Sequence, residues 1–334
     1  MSKVHRRVMK NIIPPVRPVF IDTPAGFQLN IDEISEKAVR YFKKHFNMPL
    51  AIASYTSSAI PPEKENKALT EILRANYIFA GPGSPTYTVR QWRNTRILNT
   101  LQSQLAGGAH IVLASAASIA IGAFALPVYE IYKVGEPLHW MNGLNFLAPW
   151  GLEPVIIPHW NNKEGGTHDT RFCYMGAPRL QVLEKQLPAS TVIVGIDEYT
   201  ALTLDFAQNC CTVGGSGTVT LKKEDGERQF HSKDRFDLTC LEPDHRRSND
   251  DAGTAGFSPR IPQPEPFIGA GEPPEGIEKK GELPDTVIEL LFDIRSELRR
   301  EKRWDLADAV RDSLSSFGIA VEDGPDRSTW RRIG

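Results

Sequence analysis

Residues 111–118 read Ile-Val-Leu-Ala-Ser-Ala-Ala-Ser, an apolar run that passes through small side chains into a helix-compatible stretch ending at Gly122. A buried strand that turns tightly into a helix can hold one side chain above a sheet, and small neighbours are needed because the turn is crowded. Ser115 stands where that raised side chain would be. A serine hydroxyl is a weak nucleophile until a base takes its proton, and the base needs an acid to orient it. His159 follows the apolar run Val155-Ile156-Ile157-Pro158, and Glu198 follows the next one, around Val192-Ile193-Val194. Both fall at C-terminal strand ends, the edge where α/β sites assemble. Asp197 and Glu130 are rival acids. A further run, residues 77–80, ends in Gly81-Pro82-Gly83-Ser84-Pro85. There the Gly83 N–H could donate to a developing oxyanion, whereas Pro82 has no N–H to give. Each segment also has a plain structural reading: a serine in a packed junction, a surface histidine, a Pro/Gly turn.

The elements that must position these groups are legible as alternation. Short apolar runs at 19–21, 50–53, 77–80, 109–114, 154–157 and 191–194 are separated by helical periodicity at 31–46, 67–75 and 88–105. That order predicts an α/β domain around a central, mostly parallel sheet. The run at 109–114 is nearly all apolar, as a parallel strand covered on both faces should be. Between 205 and 241 the pattern changes to short β-like stretches on either side of Gly214-Gly215-Ser216-Gly217, which predicts a terminal hairpin or meander. No helix pattern follows those glycines, so they read as a turn and not as a phosphate loop.

Composition removes several function classes. The chain has 334 residues and a formal net charge of −2, which gives no whole-protein electrostatic case for nucleic acid or anionic membrane. The most apolar stretch, 111–128, is interrupted by Ser115, Ser118, Gly122 and Pro127, so no membrane span is expected. The basic N-terminus lacks an uninterrupted apolar segment and a cleavage site. The four cysteines form neither a zinc pattern nor a disulfide framework. A cytoplasmic protein with reduced thiols, no metal and no cofactor is expected, and a homodimer is left open.

Gly81 to Pro85, LASAAS at 113–118, PHW at 158–160 and GIDEYTAL at 195–202 together resemble the cyanophycinase and alpha-aspartyl dipeptidase group of serine peptidases. TPAGFQLN (23–30), LPVYEIYKVG (126–135) and HWNNKEGG (159–166) are similar to an uncharacterised bacterial branch of that group. The resemblance covers roughly residues 15–225. It implies a flavodoxin-like, class I glutamine amidotransferase-like sheet with helices on both faces, and a peptide or amide substrate. It further implies Ser115 as nucleophile, His159 as general base and Glu198 as orienting acid, with oxyanion N–H groups from Gly83 and Ala116. Group members act on peptides next to aspartate or on β-aspartyl-arginine polymer, so a substrate carboxylate would need cations. Arg171 and Arg179 are placed to serve, with Asn161 beside the base. The chain departs from the group's Gly-x-Ser-Ala-Gly-Ala elbow at Leu113, Ala117 and Ser118, and Ala117 is expected to reshape the turn. It also opens beyond the group's usual first strand and glycine-serine-glycine loop.

Residues 242–283 are rich in Pro, Gly and charge and poor in large aliphatics, which predicts a flexible linker between a domain at 1–241 and an appendage at 284–334. In the appendage two apolar stripes at helical spacing, ending at Gly318, predict a small helical hairpin followed by a strand. RWDLADAVRDSLSSFGIAVEDGP (303–325) and STWRR (328–332) resemble the C-terminal end of cysteinyl-tRNA synthetases, where such a piece contributes to anticodon recognition. On that resemblance tRNA is a candidate partner, with Trp330 stacking on a base and Arg331 and Arg332 meeting phosphate. Two amphipathic helices packing on each other or on a protein partner are the alternative. The chain has no HIGH-like or KMSKS-like motif, which argues against aminoacylation.

Overall fold

A computed structural model of the chain describes residues 2–243, 285–300, 303–316, 318–323 and 328–332. The chain divides into two compact units, Met1–Pro266 and Phe267–Gly334. Apart from Glu242 and Pro243, the expected linker lies outside the described residues.

In the first unit, β1 (Pro18–Ile21), β2 (Ala51–Ala53), β3 (Tyr77–Ala80) and β4 (His110–Leu113) form a wholly parallel sheet in the order β2-β1-β3-β4. Successive side chains of a strand point to opposite faces, and both faces here are covered. Val19, Ile21, Ala53, Ile78 and Ala80 join one apolar cluster with Leu69 and Ile72 of α3 (Pro62–Arg74), Val89 and Trp92 of α4 (Pro85–Trp92), and Ile97 and Leu101 of α5 (Arg96–Ala106). Phe20 and Tyr77 belong to a second cluster with Met9 of α1 (Ser2–Met9) and Phe42 of α2 (Ile31–Phe46), against which Phe79 and Val112 also pack. This is the α/β arrangement around a parallel sheet that the alternation predicts, with helices on both faces as the resemblance implies.

The remaining strands are less uniform than the sequence suggests. After β4 come α6 (Ala116–Ala120), the short antiparallel pair β5 (Phe124–Ala125) and β6 (Met141–Asn142), then β7 (Val155–Pro158), α7 (Gly176–Glu184) and β8 (Ile193–Ile196). β7 and β8 are parallel, and the sheet continues antiparallel through β11 (Val219–Lys223) and β12 (Gly226–Phe230). A separate antiparallel sheet holds β9 (Thr200–Asp205), β10 (Cys210–Gly215) and β13 (Arg235–Asp237). The stretches flanking the glycine run are therefore not a hairpin: β10 and β11 lie in different sheets, and Ser216-Gly217-Thr218 is the crossing between them. The single helix expected at 88–105 is two, α4 and α5, separated where Asn94 takes a left-handed φ of 56°.

α1 is fastened by His5, which is 1% exposed and sits among the rings of Phe42, Phe46, Tyr77 and Phe79, with its Nδ1 hydrogen-bonded to the Tyr77 hydroxyl. Burial pushes its pKa down from 6.5 to about 4. Below pH 6.5 the unfolded chain binds a proton that the folded one refuses, so stability declines as pH falls from about 6.5 to about 4. Urea midpoints measured across that window should drop by the equivalent of about 3 kcal/mol, and His5→Phe should remove most of the slope.

The second unit contains the helices Asp285–Arg300 and Trp304–Ser316 and the antiparallel strands Ile319–Asp323 and Ser328–Arg332. Its small core is Ile288, Leu314 and Ile319, with Leu291, Val310, Val321 and Trp330 packed against it. Among the described residues, no helix of either unit is long and apolar enough to cross a membrane.

Candidate active site

The parallel register determines what shares the C-terminal edge of the first sheet. Ala80 of β3 is paired with Leu113 of β4, and the Ala114 N–H donates to the Ala80 carbonyl at 3.0 Å. The segments Gly81-Pro82-Gly83 and Ala114-Ser115-Ala116 therefore leave adjacent strands side by side. Gly83 is required by close approach: a Cβ there would lie 1.8 Å from the Pro24 carbonyl oxygen, which already accepts the Ser84 N–H at 2.9 Å. Among the described residues, neither the Gly83 nor the Ala116 N–H has an acceptor.

Ser115 has φ 52° and ψ −116°, a conformation that costs a non-glycine residue on the order of 1–3 kcal/mol. Strain of this kind persists only where the surroundings over-determine it, and here the strand, the buried Ala116 and Ala117, and a 2.7 Å bond from Ser118 Oγ to the Ser115 carbonyl do so. Ala117 lies in α6 and is not among the residues of positive φ, whereas Ser115 is. Ser115 precedes α6 without capping it through its side chain. Its Oγ instead lies 3.1 Å from His159 Nε2.

His159 follows β7 and also has a positive φ, 53°. Its Nδ1 is 3.3 Å from Glu198 Oε1. The three side chains thus form a continuous chain of contacts, hydroxyl to imidazole to carboxylate, from three separate strand ends. His159 and Glu198 keep 35% and 29% of their side-chain surface exposed, so the group is open to a solute. Asp197 faces away from the imidazole toward Thr218: its Oδ2 accepts both the Thr218 N–H and the Thr218 hydroxyl at 2.8 Å. Glu130 lies in a five-residue π-helical turn, Glu130–Val134, without a recorded contact to His159.

The loop carrying His159 is held on several sides. The Trp160 N–H donates to the Ile196 carbonyl at 3.0 Å, and the Trp160 indole lies on Gly195, where a Cβ would meet it at 2.3 Å. Phe172, Cys173 and Tyr174 are three consecutive left-handed residues, with φ of 59°, 54° and 70°. Each such residue costs roughly 1–2 kcal/mol. The turn aims the Phe172 N–H at the Trp160 carbonyl (2.9 Å) and the Cys173 N–H at the His159 carbonyl (3.2 Å). Nothing in the residue types announces this turn; only Gly176 beyond it is a signal.

Of the two cationic residues expected to meet a substrate carboxylate, Arg171 is paired and Arg179 is exposed. Arg171 makes two 2.8 Å bonds to Asp169, whose carboxyl they hold far below the usual carboxylate range. Arg179 is exposed on α7. Neither has a recorded contact with Ser115, His159 or Glu198. Asn161, beside the base, accepts the Glu198 N–H through its Oδ1 at 2.8 Å.

In the second unit Trp330 packs on the small core, opposite Val321 across the strand pair, and Arg331 Nε donates to Glu322 at 2.8 Å. The indole is therefore a structural element of that unit first. Arg331 and Arg332 are exposed.

A solved structure of a peptidase from an acI-B1 Actinobacterium is similar to the first unit's architecture: it has a TM-score of 0.53 and covers 71% of this chain and 88% of its own, at 18% identity. The likeness is one of fold. Residues 280–331 match the family described as the cysteinyl-tRNA ligase anticodon binding domain. The same end of the chain is similar to cysteine–tRNA ligases, for example that of Thermococcus kodakarensis (45% identical over 56 residues, 17% of this chain) and that of Tolumonas auensis (43% over 73 residues, 22% of this chain). The matches span only 12% and 14% of those ligases' lengths. The chain is thus a composite of a peptidase-type fold and a ligase-type C-terminal segment.

Proposed function

We propose that the first unit is a serine hydrolase that cleaves a peptide or amide bond. The observation carrying the proposal is the contact chain from Ser115 Oγ through His159 to Glu198, at 3.1 and 3.3 Å, on a strained serine at a strand-to-helix turn. His159 Nε2 takes the Ser115 proton as Oγ attacks the substrate carbonyl. The Gly83 and Ala116 N–H groups, otherwise unengaged, donate to the oxyanion that forms. The imidazolium then gives its proton to the leaving amine, and the carbon–nitrogen bond breaks to leave an acyl-serine. Water, deprotonated by the same imidazole, attacks the ester and returns the serine. Glu198 keeps Nδ1 protonated and facing it, which stabilises the imidazolium throughout. A fluorophosphonate probe is expected to label Ser115 in the full-length protein, with labelling abolished in Ser115→Ala and weakened in His159→Ala. Folded full-length protein that stays unlabelled overturns the proposal.

The match over residues 280–331 favours a second role, tRNA binding by the second unit. Binding of a tRNA transcript should weaken with salt, and replacing Arg331 and Arg332 together by Gln should reduce the log–log salt slope by about 2. Unchanged binding and slope would remove both arginines from the contact.

A further inference from the structure

We infer that Asn161 is a positioning residue that ties the base-bearing loop to the acid-bearing loop; the inference rests on the hydrolase reading of Ser115, His159 and Glu198. Asn161 lies two residues after His159, and its Oδ1 accepts the Glu198 N–H at 2.8 Å. One side chain from the loop after β7 therefore fixes the backbone of the loop after β8 at the residue whose carboxylate must face the imidazole.

The need for such a tie follows from how the two loops are otherwise held. The His159 loop is secured on its own side by the bonds from Asn162 N–H and Cys173 N–H to the His159 carbonyl, each 3.2 Å, and is joined to the end of β8 by the Trp160 N–H to the Ile196 carbonyl at 3.0 Å. The Glu198 loop is secured on the opposite side, where Asp197 and the Ser216-Gly217-Thr218 crossing bind each other through Asp197 Oδ2 and the Asp197 N–H. Tyr199, directly after Glu198, is 81% exposed and has a φ of 56°, so no packing of its ring holds Glu198 from the C-terminal side. The Glu198 carboxylate itself reaches His159 at 3.3 Å, a long contact that a small shift of the loop would break. Beside the Trp160 N–H to Ile196 bond, which ends two residues short of the carboxylate, the Asn161 bond is the link that falls on Glu198 itself.

The test compares Asn161→Leu, Asn161→Ala and Asn161→Asp in the full-length protein. Leu keeps the volume and removes the acceptor, Ala removes both, and Asp keeps an acceptor oxygen. Two readouts are taken: the fluorophosphonate labelling rate, and the NMR resonance of the His159 Nδ1 proton, assigned by its loss in His159→Gln. A proton in a charge-assisted bond between imidazole and carboxylate is displaced in its resonance when that contact opens. Expected are a labelling rate reduced roughly tenfold to a hundredfold in Asn161→Leu and Asn161→Ala, a displaced or lost Nδ1 proton resonance in both, and a retained resonance in Asn161→Asp, which keeps an acceptor oxygen while adding a negative charge. On a Glu198→Gln background the Asn161→Leu effect should largely vanish, since the asparagine acts through that carboxylate. An unchanged Nδ1 proton resonance in both Leu and Ala variants, or full additivity with Glu198→Gln, overturns the inference. The resonance does not require turnover: if the wild type fails to label while its His159 Nδ1 resonance still responds to Asn161, the hydrolase reading fails and the coupling of the two loops stands.

Discussion

Replacing Ser115 by alanine is expected to remove hydrolysis almost entirely, by a factor on the order of 10⁴–10⁶ in kcat, while leaving substrate affinity nearly unchanged. The size of the effect follows from the role. Without Oγ no acyl-enzyme forms, and what remains is the contribution of the oxyanion donors and of binding. Such a loss corresponds to roughly 5–8 kcal/mol of transition-state stabilisation. The backbone supplies an independent check. Ser115 holds φ 52°, ψ −116° against its own Cβ. Ser115→Gly should therefore be as inactive as Ser115→Ala yet more stable than the wild type, by about 1 kcal/mol or more in urea titration. Strain kept at the proposed nucleophile, and relieved only with loss of activity, is the expected trade between stability and function. A Ser115→Ala protein that still hydrolyses the substrate at the wild-type rate would exclude the serine.

Glu198→Gln is expected to lower kcat/KM by roughly 10³–10⁴. Glutamine preserves shape and can still meet the imidazole, but it carries no charge to stabilise the imidazolium and can orient the wrong tautomer. Asp197→Asn is the control. Its carboxylate serves Thr218, with two bonds of 2.8 Å. That substitution should cost about 1–3 kcal/mol of stability and leave kcat/KM of the folded protein near the wild-type value. If Asp197→Asn, and not Glu198→Gln, lowered kcat/KM, the assignment of the acid would be reversed.

Arg171, expected to meet a substrate carboxylate, meets Asp169 in a bidentate pair. An exposed pair of this kind adds little to stability.

What the amino-acid order determined by itself was the alternation of strand and helix, and with it the strand ends on which Ser115, His159 and Glu198 stand. Those are local properties: apolar runs of strand length, helical stripes between them, small residues at a turn. The ligase-like stripes of residues 284–334 were legible for the same reason, since a helical hairpin writes its core at a spacing of three to four. Tertiary structure alone decided which carboxylate faces the imidazole, because Asp197 and Glu198 are adjacent and differ only in what lies opposite each of them. It also decided that the stretches around Gly214 enter two sheets, that Phe172, Cys173 and Tyr174 turn left-handed behind the base, and that Asn161 holds the acid's loop. Each of these depends on a partner distant in sequence, and a hydrogen bond or a strained dihedral that exists only because its partner is in place leaves no periodic mark on the chain.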